Sequence, residues 1–213
     1  MTDFNAMTDA LVSCDAAKLT DLVNAALTDG SSAGDILNQG LIAGMDVVGE
    51  KMENGDMFIP EVLMAAKAME SCVAILKPML GENESATGAS VIIGTVKGDL
   101  HDIGKNLVAV MMGSAGLEVH NLGVDIAPET FVAQIKEQNA RIVCLSALLT
   151  TTMPMMKQTV DAIVESGLRD QVKILIGGAP VTQEYADEIG ADGYSDDANT
   201  AVKAAKVVLG IAA

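Results

Sequence analysis

A histidine close behind a carboxylate is the clearest candidate for chemistry in this chain. Asp99 precedes His101 by two positions, and Gly104 follows them in a glycine-containing polar stretch. A histidine that binds a metal usually donates its second ring N–H to a carboxylate, which fixes the tautomer and makes the coordinating nitrogen more basic. The pair therefore has the composition of a metal ligand with its supporting group. A histidine that only caps a loop is the alternative.

The same stretch does not fit a site for nucleotide phosphates. A loop of the G-x-x-x-x-G-K-[ST] type would need glycine where Asp99 stands and serine or threonine where Asn106 stands, and no G-x-G-x-x-G occurs in the chain. A carboxylate next to the phosphate would also repel it. The stretch is therefore not predicted to bind nucleotide phosphates.

Two more short motifs follow, Ser146-x-Leu148 and Gly177-Gly178. Each comes directly after a short apolar run that predicts a strand, as the histidine loop does. The carboxyl ends of parallel strands meet at one edge of a sheet, where ligands of such folds bind. We therefore expect the three motifs to lie close together.

Strand and helix patterns alternate from residue 90 to residue 213, which predicts an α/β domain with a parallel sheet covered on both faces. The predicted strands are 91–96, 118–122, 141–145, 173–176 and 193–195, and the helical patterns lie near 107–112, 129–138, 154–166, 182–189 and 198–209.

Residues 1–80 are predicted to be helical throughout. Asp15 is placed to cap a helix that ends near Thr28. Ser32 opens a longer helix that ends near Asn54, and Pro60 fits the first turn of another. We predict a four-helix bundle over 1–80, joined by a small, polar linker at 81–89 to the α/β domain at 90–213.

The composition excludes several classes of function. The net charge is −16, from 29 acidic and 13 basic residues, which would repel nucleic acid. No apolar run approaches the roughly 20 residues of a membrane span, and the N-terminus lacks the features of a secretory signal. Cys14, Cys72 and Cys144 form no metal-binding or redox pair and are expected to be buried free thiols. We expect a cytoplasmic protein.

The three motifs together resemble the Asp-x-His-x-x-Gly, Ser-x-Leu and Gly-Gly signature of cobalamin-binding proteins. The resemblance implies a Rossmann-like (flavodoxin-like) domain in which His101 replaces the benzimidazole tail of the cofactor as the lower axial ligand of cobalt. Ser146 would bind the released benzimidazole, and Thr152 stands where a related methyl-transfer protein has a serine that completes the relay with His101 and Asp99. The implied cofactor-binding residues are Asp99, His101, Gly104, Ser146, Leu148, Thr152, Gly177 and Gly178.

Residues 47–63 resemble the helical cap that precedes the cobalamin domain in methionine synthase and in the corrinoid proteins of one-carbon methyltransferase systems. Cobalamin mutases have no such cap. The residues implied to lie over the upper face of the cofactor are Met52, in place of a phenylalanine, and Ile59, Val62 and Leu63. The alternative is that they are ordinary core of the helical bundle.

The resemblance implies a methyl carrier. Co(I) would accept a methyl group from a substrate held by a substrate-specific methyltransferase and pass it to an acceptor methyltransferase that uses tetrahydrofolate or a thiol. The chain would be a non-catalytic or co-catalytic corrinoid subunit, with a reductive activase as a further partner. Methylated amines, quaternary amines, methanol and aryl methyl ethers are donors within the family.

Two other functions are alternatives. A cobalamin-dependent sensor or regulatory module would share the cap and the signature, but the chain has neither a DNA-binding helix pair nor a basic face. A metal-dependent hydrolase built on Asp99, His101 and Asp102 would need more ligands than a chain with two histidines readily supplies.

Overall fold

The computed structural model of the chain describes residues 2–80 and 89–210. They form two compact units, one of which holds the N-terminal helices and the other the sheet. The predicted linker at 81–89 lies outside the described residues except for Ala89. Among the described helices, none is long and apolar enough to cross a membrane.

Three helices of the helical unit begin directly after an acidic or hydroxyl residue whose side chain accepts a hydrogen bond from a backbone N–H of the first turn. Asp3, Asp15 and Ser32 accept from Ala6, Lys18 and Asp35, respectively. The helices are α1 (Phe4–Val12), α2 (Ala16–Thr28), α3 (Ala33–Asp35), α4 (Ala43–Glu53) and α5 (Ile59–Leu76), with a π-helical segment at Ile36–Ile42 and a 3₁₀ turn at Lys77–Met79.

The long helix predicted from Ser32 to Asn54 is continuous, but its middle is π-helical. Two glycines allow α1 to lie close to this stretch. A Cβ at Gly40 would come within 2.6 Å of the Met7 sulfur, and one at Gly44 within 2.5 Å of Leu11 Cδ1. Close packing by small residues therefore joins these helices, and the four predicted helical stretches are present.

The sheet of the α/β unit is parallel with the strand order β2-β1-β3-β4-β5. The strands are β1 (Ser90–Thr95), β2 (Glu118–Asn121), β3 (Ile142–Ser146), β4 (Lys173–Gly177) and β5 (Gly193–Ser195), and the helices are α6 (Ile103–Ser114), α7 (Pro128–Glu137), α8 (Met153–Glu165), α9 (Gln183–Ile189) and α10 (Ala198–Leu209). This is the flavodoxin-like order, which changes direction between β1 and β3.

The two faces of the sheet pack against different helices. Leu145 and Ile176 belong to a buried core with Phe131 of α7 and Met156 of α8. The next residue back along β3, Cys144, points the other way, with its sulfur 4.0 Å from that of Met112 in α6. Both faces are covered, as the apolar strands predict.

Several predicted boundaries and one burial prediction differ from the structure. β1 covers Ser90–Thr95 where 91–96 was predicted, and β2 ends at Asn121, one residue before the predicted end. β3 and β4 each extend one residue further than predicted, so Ser146 and Gly177 are the last residues of their strands and are paired with each other. Cys72 and Cys144 are buried, but Cys14 is partly exposed. Cys14 lies just beyond α1 with a left-handed φ of 56°, which turns the chain out of the helix.

Candidate functional site

His101 and Asp99 form a close pair at the carboxyl edge of the sheet, directly after β1. His101 Nδ1 lies 2.7 Å from Asp99 Oδ1, and the side chains are 51% and 0% exposed, respectively. An ionised carboxylate only accepts hydrogen bonds, so the proton of the pair lies on Nδ1. The Nε2 lone pair of His101 is then available to a metal.

Asp99 also accepts hydrogen bonds from the loop that follows β3. Its Oδ2 accepts hydrogen bonds from the Thr152 hydroxyl at 2.7 Å and from the backbone N–H groups of Leu148 and Leu149 at 2.8 and 3.3 Å. Its Oδ1 accepts from the backbone N–H of His101 at 3.1 Å. One carboxylate thus binds the two loops together.

These hydrogen bonds determine the ionisation of Asp99. Burial would raise its pKa, but the hydrogen bonds from Thr152, from the His101 ring and from the backbone outweigh burial and hold the pKa well below its usual range. The carboxylate is therefore charged at neutral pH.

The depressed pKa predicts how stability depends on pH. The charged carboxylate stabilises the fold fully above the unfolded-state pKa of about 4, and that contribution is lost as the pH falls towards the folded-state pKa. We therefore expect Asp99→Asn to lower the free energy of unfolding at pH 7 and the difference from the wild type to shrink below about pH 4. Urea unfolding of the apoprotein over this range measures it. Asp161→Asn, at an exposed i,i+4 pair with Lys157, is the control. A difference that did not change with pH would contradict the assignment.

A second loop holds the histidine loop in place. Asp125, with a left-handed φ of 57°, accepts the N–H of Gly98 at 2.7 Å and donates its own N–H to the Asp99 carbonyl at 3.0 Å. The Thr95 hydroxyl donates to the carbonyl of His101 at 2.8 Å. Sequence reasoning missed Asp125, whose only signal is that aspartate tolerates left-handed backbone better than most residues.

Lys105 is a buried cation in the first turn of α6. Its Nζ donates to the side-chain oxygens of Asn106 at 2.6 Å and Asn121 at 2.7 Å. Burial lowers the pKa of Lys105, and the charge of Asp102 opposes that shift. The two amides tie the start of the helix to the end of β2.

The motif glycines differ in what surrounds them. A Cβ at Gly104 would meet no atom within 4 Å beyond its chain neighbours and its own helix backbone. One at Gly178 would lie 1.9 Å from the Ala147 carbonyl oxygen, and one at Gly177 would lie 2.9 Å from the Ser195 carbonyl oxygen. Gly178 also has a φ of +133°. Gly177 and Gly178 are therefore required by the protein's own packing, while Gly104 leaves space open at the helix start.

Apolar side chains are exposed in the two loops that Asp99 joins. Leu100 in the histidine loop and Ile103 at the start of α6 are 71% and 78% exposed, and Leu148 and Leu149 after β3 are both 42% exposed. Exposed apolar residues in such a group mark a ligand surface. A histidine with a free Nε2 among them fits a macrocyclic cofactor that carries a metal at its centre.

The four predicted cap residues do not share one environment. Val62 is fully buried, Ile59 and Leu63 are exposed, and Met52 is partly exposed. Phe58, which the sequence reasoning did not select, is 68% exposed at the start of α5. The sequence could have indicated it, because an aromatic residue stands immediately before the helix whose first turn contains Pro60.

The metal-dependent hydrolase considered from the sequence gains no support from the described residues. The second histidine, His120, lies within β2, with its Nε2 3.7 Å from a carboxylate oxygen of Glu118. Within residues 2–80 and 89–210, no group of three or more His, Cys, Asp or Glu side chains is arranged to hold a metal ion. A hydrolytic metal centre on Asp99, His101 and Asp102 is therefore unsupported.

Comparison with known families identifies the fold. Residues 89–203 match the model of the B12 binding domain, and residues 4–77 match a second model that is also described as a B12 binding domain. The chain belongs to the B12-binding family. Its cofactor is cobalamin, and the prediction of a helical cap followed by a Rossmann-like cobalamin domain is confirmed.

Individual relatives agree with this assignment. The chain is 44% identical to the dimethylamine corrinoid protein of Methanosarcina barkeri over 95% of both chains. A crystal structure of a cobalamin-binding protein from Desulfitobacterium hafniense covers 97% of this chain and 98% of its own, at 33% identity and a TM-score of 0.83. The methanol:cobalamin methyltransferase complex MtaBC of Methanosarcina barkeri covers 97% of this chain and 79% of its own, at 28% identity and a TM-score of 0.85.

Proposed function

We propose that the chain carries methyl groups between two methyltransferases. The observation that carries the proposal is the relay of Thr152, Asp99 and His101, in a B12-binding chain that also has the N-terminal helical unit. When bound, cobalamin supplies the nucleophilic cobalt centre that accepts and releases methyl groups. The protein would supply the cobalt ligand, the site for the nucleotide tail and the cover.

His101 would bind the cobalt of cobalamin through Nε2. Asp99 holds the Nδ1 proton and so fixes which ring nitrogen faces the metal. Thr152 donates its hydroxyl to the same carboxylate, so the hydroxyl proposed for this position from the family resemblance is in hydrogen-bonding range. Changes in the strength of this relay would alter how basic the ligand nitrogen is.

The nucleotide tail is proposed to enter the α/β unit beside these loops. Ser146 would donate its hydroxyl to the benzimidazole, Leu148 would contact the ring, and Gly104 would let the tail pass close to the start of α6. Gly177 and Gly178 would contribute only their backbone to the slot, because the Ser195 and Ala147 carbonyl oxygens lie where their side chains would be.

The helical unit is proposed to cover the upper face of the cofactor. The exposed members Phe58, Ile59 and Leu63 are the ones available for this role, together with Met52, whereas the buried Val62 would support them from within. A cover that exposes apolar side chains excludes water and oxygen from the cobalt when it is closed. It must open when either methyltransferase binds.

The cover can be tested by shortening its exposed side chains. The triple variant Phe58→Ala, Ile59→Ala, Leu63→Ala should keep the fold, because surface truncations cost little stability, and should shorten the lifetime of Co(I) after mixing with air. Val164→Ala with Val207→Ala, two exposed valines of the α/β unit, is the control. Stopped-flow absorbance at matched cofactor occupancy gives the lifetimes. Equal lifetimes in all three proteins would remove the shielding role.

Methylated amines are the proposed donors, because the dimethylamine corrinoid protein is similar to the chain over nearly its whole length. The proposed partners are a substrate-specific methyltransferase, an acceptor methyltransferase that uses tetrahydrofolate or a thiol, and a reductive activase. The methanol complex supports a methyltransferase partner as such.

The carrier role can be tested in a cell extract. The extract is prepared from source cells that lack the gene for this chain. Adding the purified, cobalamin-loaded chain should restore transfer of labelled methyl groups from a methylated amine to tetrahydrofolate or thiol. His101→Ala loaded to the same occupancy should restore less, and methanol should not replace the amine. Failure to restore transfer from any methylated donor, with cobalamin still bound, would favour the sensor alternative instead.

A further inference from the structure

Four residues form a row across the carboxyl edge of the sheet. Thr95 pairs with Ser146, Ser146 with Gly177, and Gly177 with Ser195. Each is the last residue of its strand. The row therefore places one serine on each side of a glycine, at the edge where ligands of this fold bind.

The side chains of this row lie on one face of the sheet. Leu145, Ile176 and Tyr194, which precede the last three members, all pack into the core that holds α7, α8 and α9. Because successive side chains of a strand point to opposite faces, Ser146 and Ser195 lie on the other face.

Gly177 places no side chain between the two serines, and only the Ser195 carbonyl oxygen lies close to where its Cβ would be, at 2.9 Å. Neighbouring strands lie about 4.8 Å apart, so the backbones of Ser146 and Ser195 are separated by roughly 9.6 Å with no side chain between them. A flat heterocycle above the glycine would have one hydroxyl group on each side.

The hydroxyl of Ser195 has no partner in the described part of the chain. The residue is 9% exposed, and its Oγ is one of two buried side-chain oxygens without a hydrogen bond among residues 2–80 and 89–210. Buried hydroxyls are nearly always paired, because an unpaired one loses its bonds to water without replacement. The other such oxygen, Ser90 Oγ, belongs to the first residue of β1, at the opposite end of the strand from the ligand edge.

We propose that Ser195 is a second polar contact for the nucleotide tail of cobalamin, facing Ser146 across Gly177. The tail carries acceptor atoms in its base, ribose and phosphate, and a hydroxyl donor is what such atoms need. This inference rests on the proposed tail site and adds a residue to it. Ser195 then contributes to the preference for a complete corrinoid over one without the nucleotide.

Cobinamide, which has the corrin ring and cobalt but no nucleotide tail, separates a tail contact from a structural role. Ser195→Ala should weaken the binding of cobalamin about five-fold, the effect of one ordinary hydrogen bond, and leave the binding of cobinamide unchanged. Ser90→Ala removes the other unpaired buried hydroxyl and should change neither affinity. Equilibrium dialysis of the full chain gives all the dissociation constants.

The outcomes distinguish this inference from the proposal on which it rests. If the wild type binds cobalamin and cobinamide equally well, the tail is not held and both proposals fail. If the wild type prefers cobalamin and Ser195→Ala keeps the whole preference, only the role of Ser195 fails. Equal losses for both corrinoids in Ser195→Ala would also overturn it, because a tail contact cannot affect cobinamide.

Discussion

His101→Ala is expected to remove the protein imidazole from cobalt and to leave the fold intact. The side chain is half-exposed, and Asp99 keeps its hydrogen bonds from Thr152, Leu148 and Leu149 when the ring is removed. The loops that Asp99 joins should therefore stay in place. The electron paramagnetic resonance spectrum of the Co(II) form should lose the nitrogen splitting that comes from a histidine isotopically labelled at nitrogen.

His120→Ala is the matched control, because the chain has only two histidines. It should keep the splitting, since His120 lies in β2 beside Glu118. A labelled-histidine splitting that survived in His101→Ala would remove His101 from the ligand role. Loss of the splitting in both variants would point to a general disturbance of the site.

Periodicity was enough to predict a parallel α/β sheet preceded by a helical segment. Strands such as Ile142–Ser146 are short apolar runs between helical patterns, and a parallel sheet buried on both faces needs such runs. The caps at Asp15 and Ser32 likewise have local hydrogen-bonding causes that can be read from neighbouring residues. The family motifs added what periodicity could not, the expectation that the three loops bind one cofactor.

The supporting residues of the site were harder to predict, because their partners are distant in the sequence. Asp125 contacts Gly98 and Asp99 only after the sheet has formed, and Lys105 contacts Asn121 in the same way. Neither has a local pattern that shows its role. The extra residue in β3 has the same origin, because Ser146 joins the strand through bonds to its neighbours and not through its own propensity.

The reason for the Gly-Gly motif also became visible only in three dimensions. From the sequence, both glycines could be explained by the need to admit a nucleotide tail. The contacts of Gly178 with the Ala147 backbone show that the loop after β3 occupies the space that a side chain would need. Gly104 has no such neighbour. The effects of alanine at Gly178 and at Gly104 should therefore differ, and experiment can distinguish a packing role from a role in binding the tail.

Gly178→Ala should destabilise the apoprotein strongly. The new Cβ would lie 1.9 Å from the Ala147 carbonyl oxygen, a backbone atom that cannot move without displacing the loop after β3, and the φ of +133° is itself unfavourable for alanine. We expect a loss of about 3 kcal/mol or more in the free energy of unfolding, measured by urea denaturation without cofactor. A loss below about 1 kcal/mol would mean that the loop yields easily, against the packing described here.

Gly104→Ala should have the opposite profile. Apart from its chain neighbours and the backbone of its own helix, no atom lies within 4 Å of the added Cβ, and alanine favours a helix over glycine. The apoprotein should therefore be as stable as the wild type or more stable by up to about 1 kcal/mol. Cobalamin affinity should nevertheless fall, because the methyl group occupies the space proposed for the tail, while cobinamide affinity should not. Dialysis with both corrinoids, on a variant whose stability is unimpaired, isolates the steric effect on the ligand. Wild-type affinity for cobalamin in Gly104→Ala would place the tail elsewhere and leave the glycine without a role in binding.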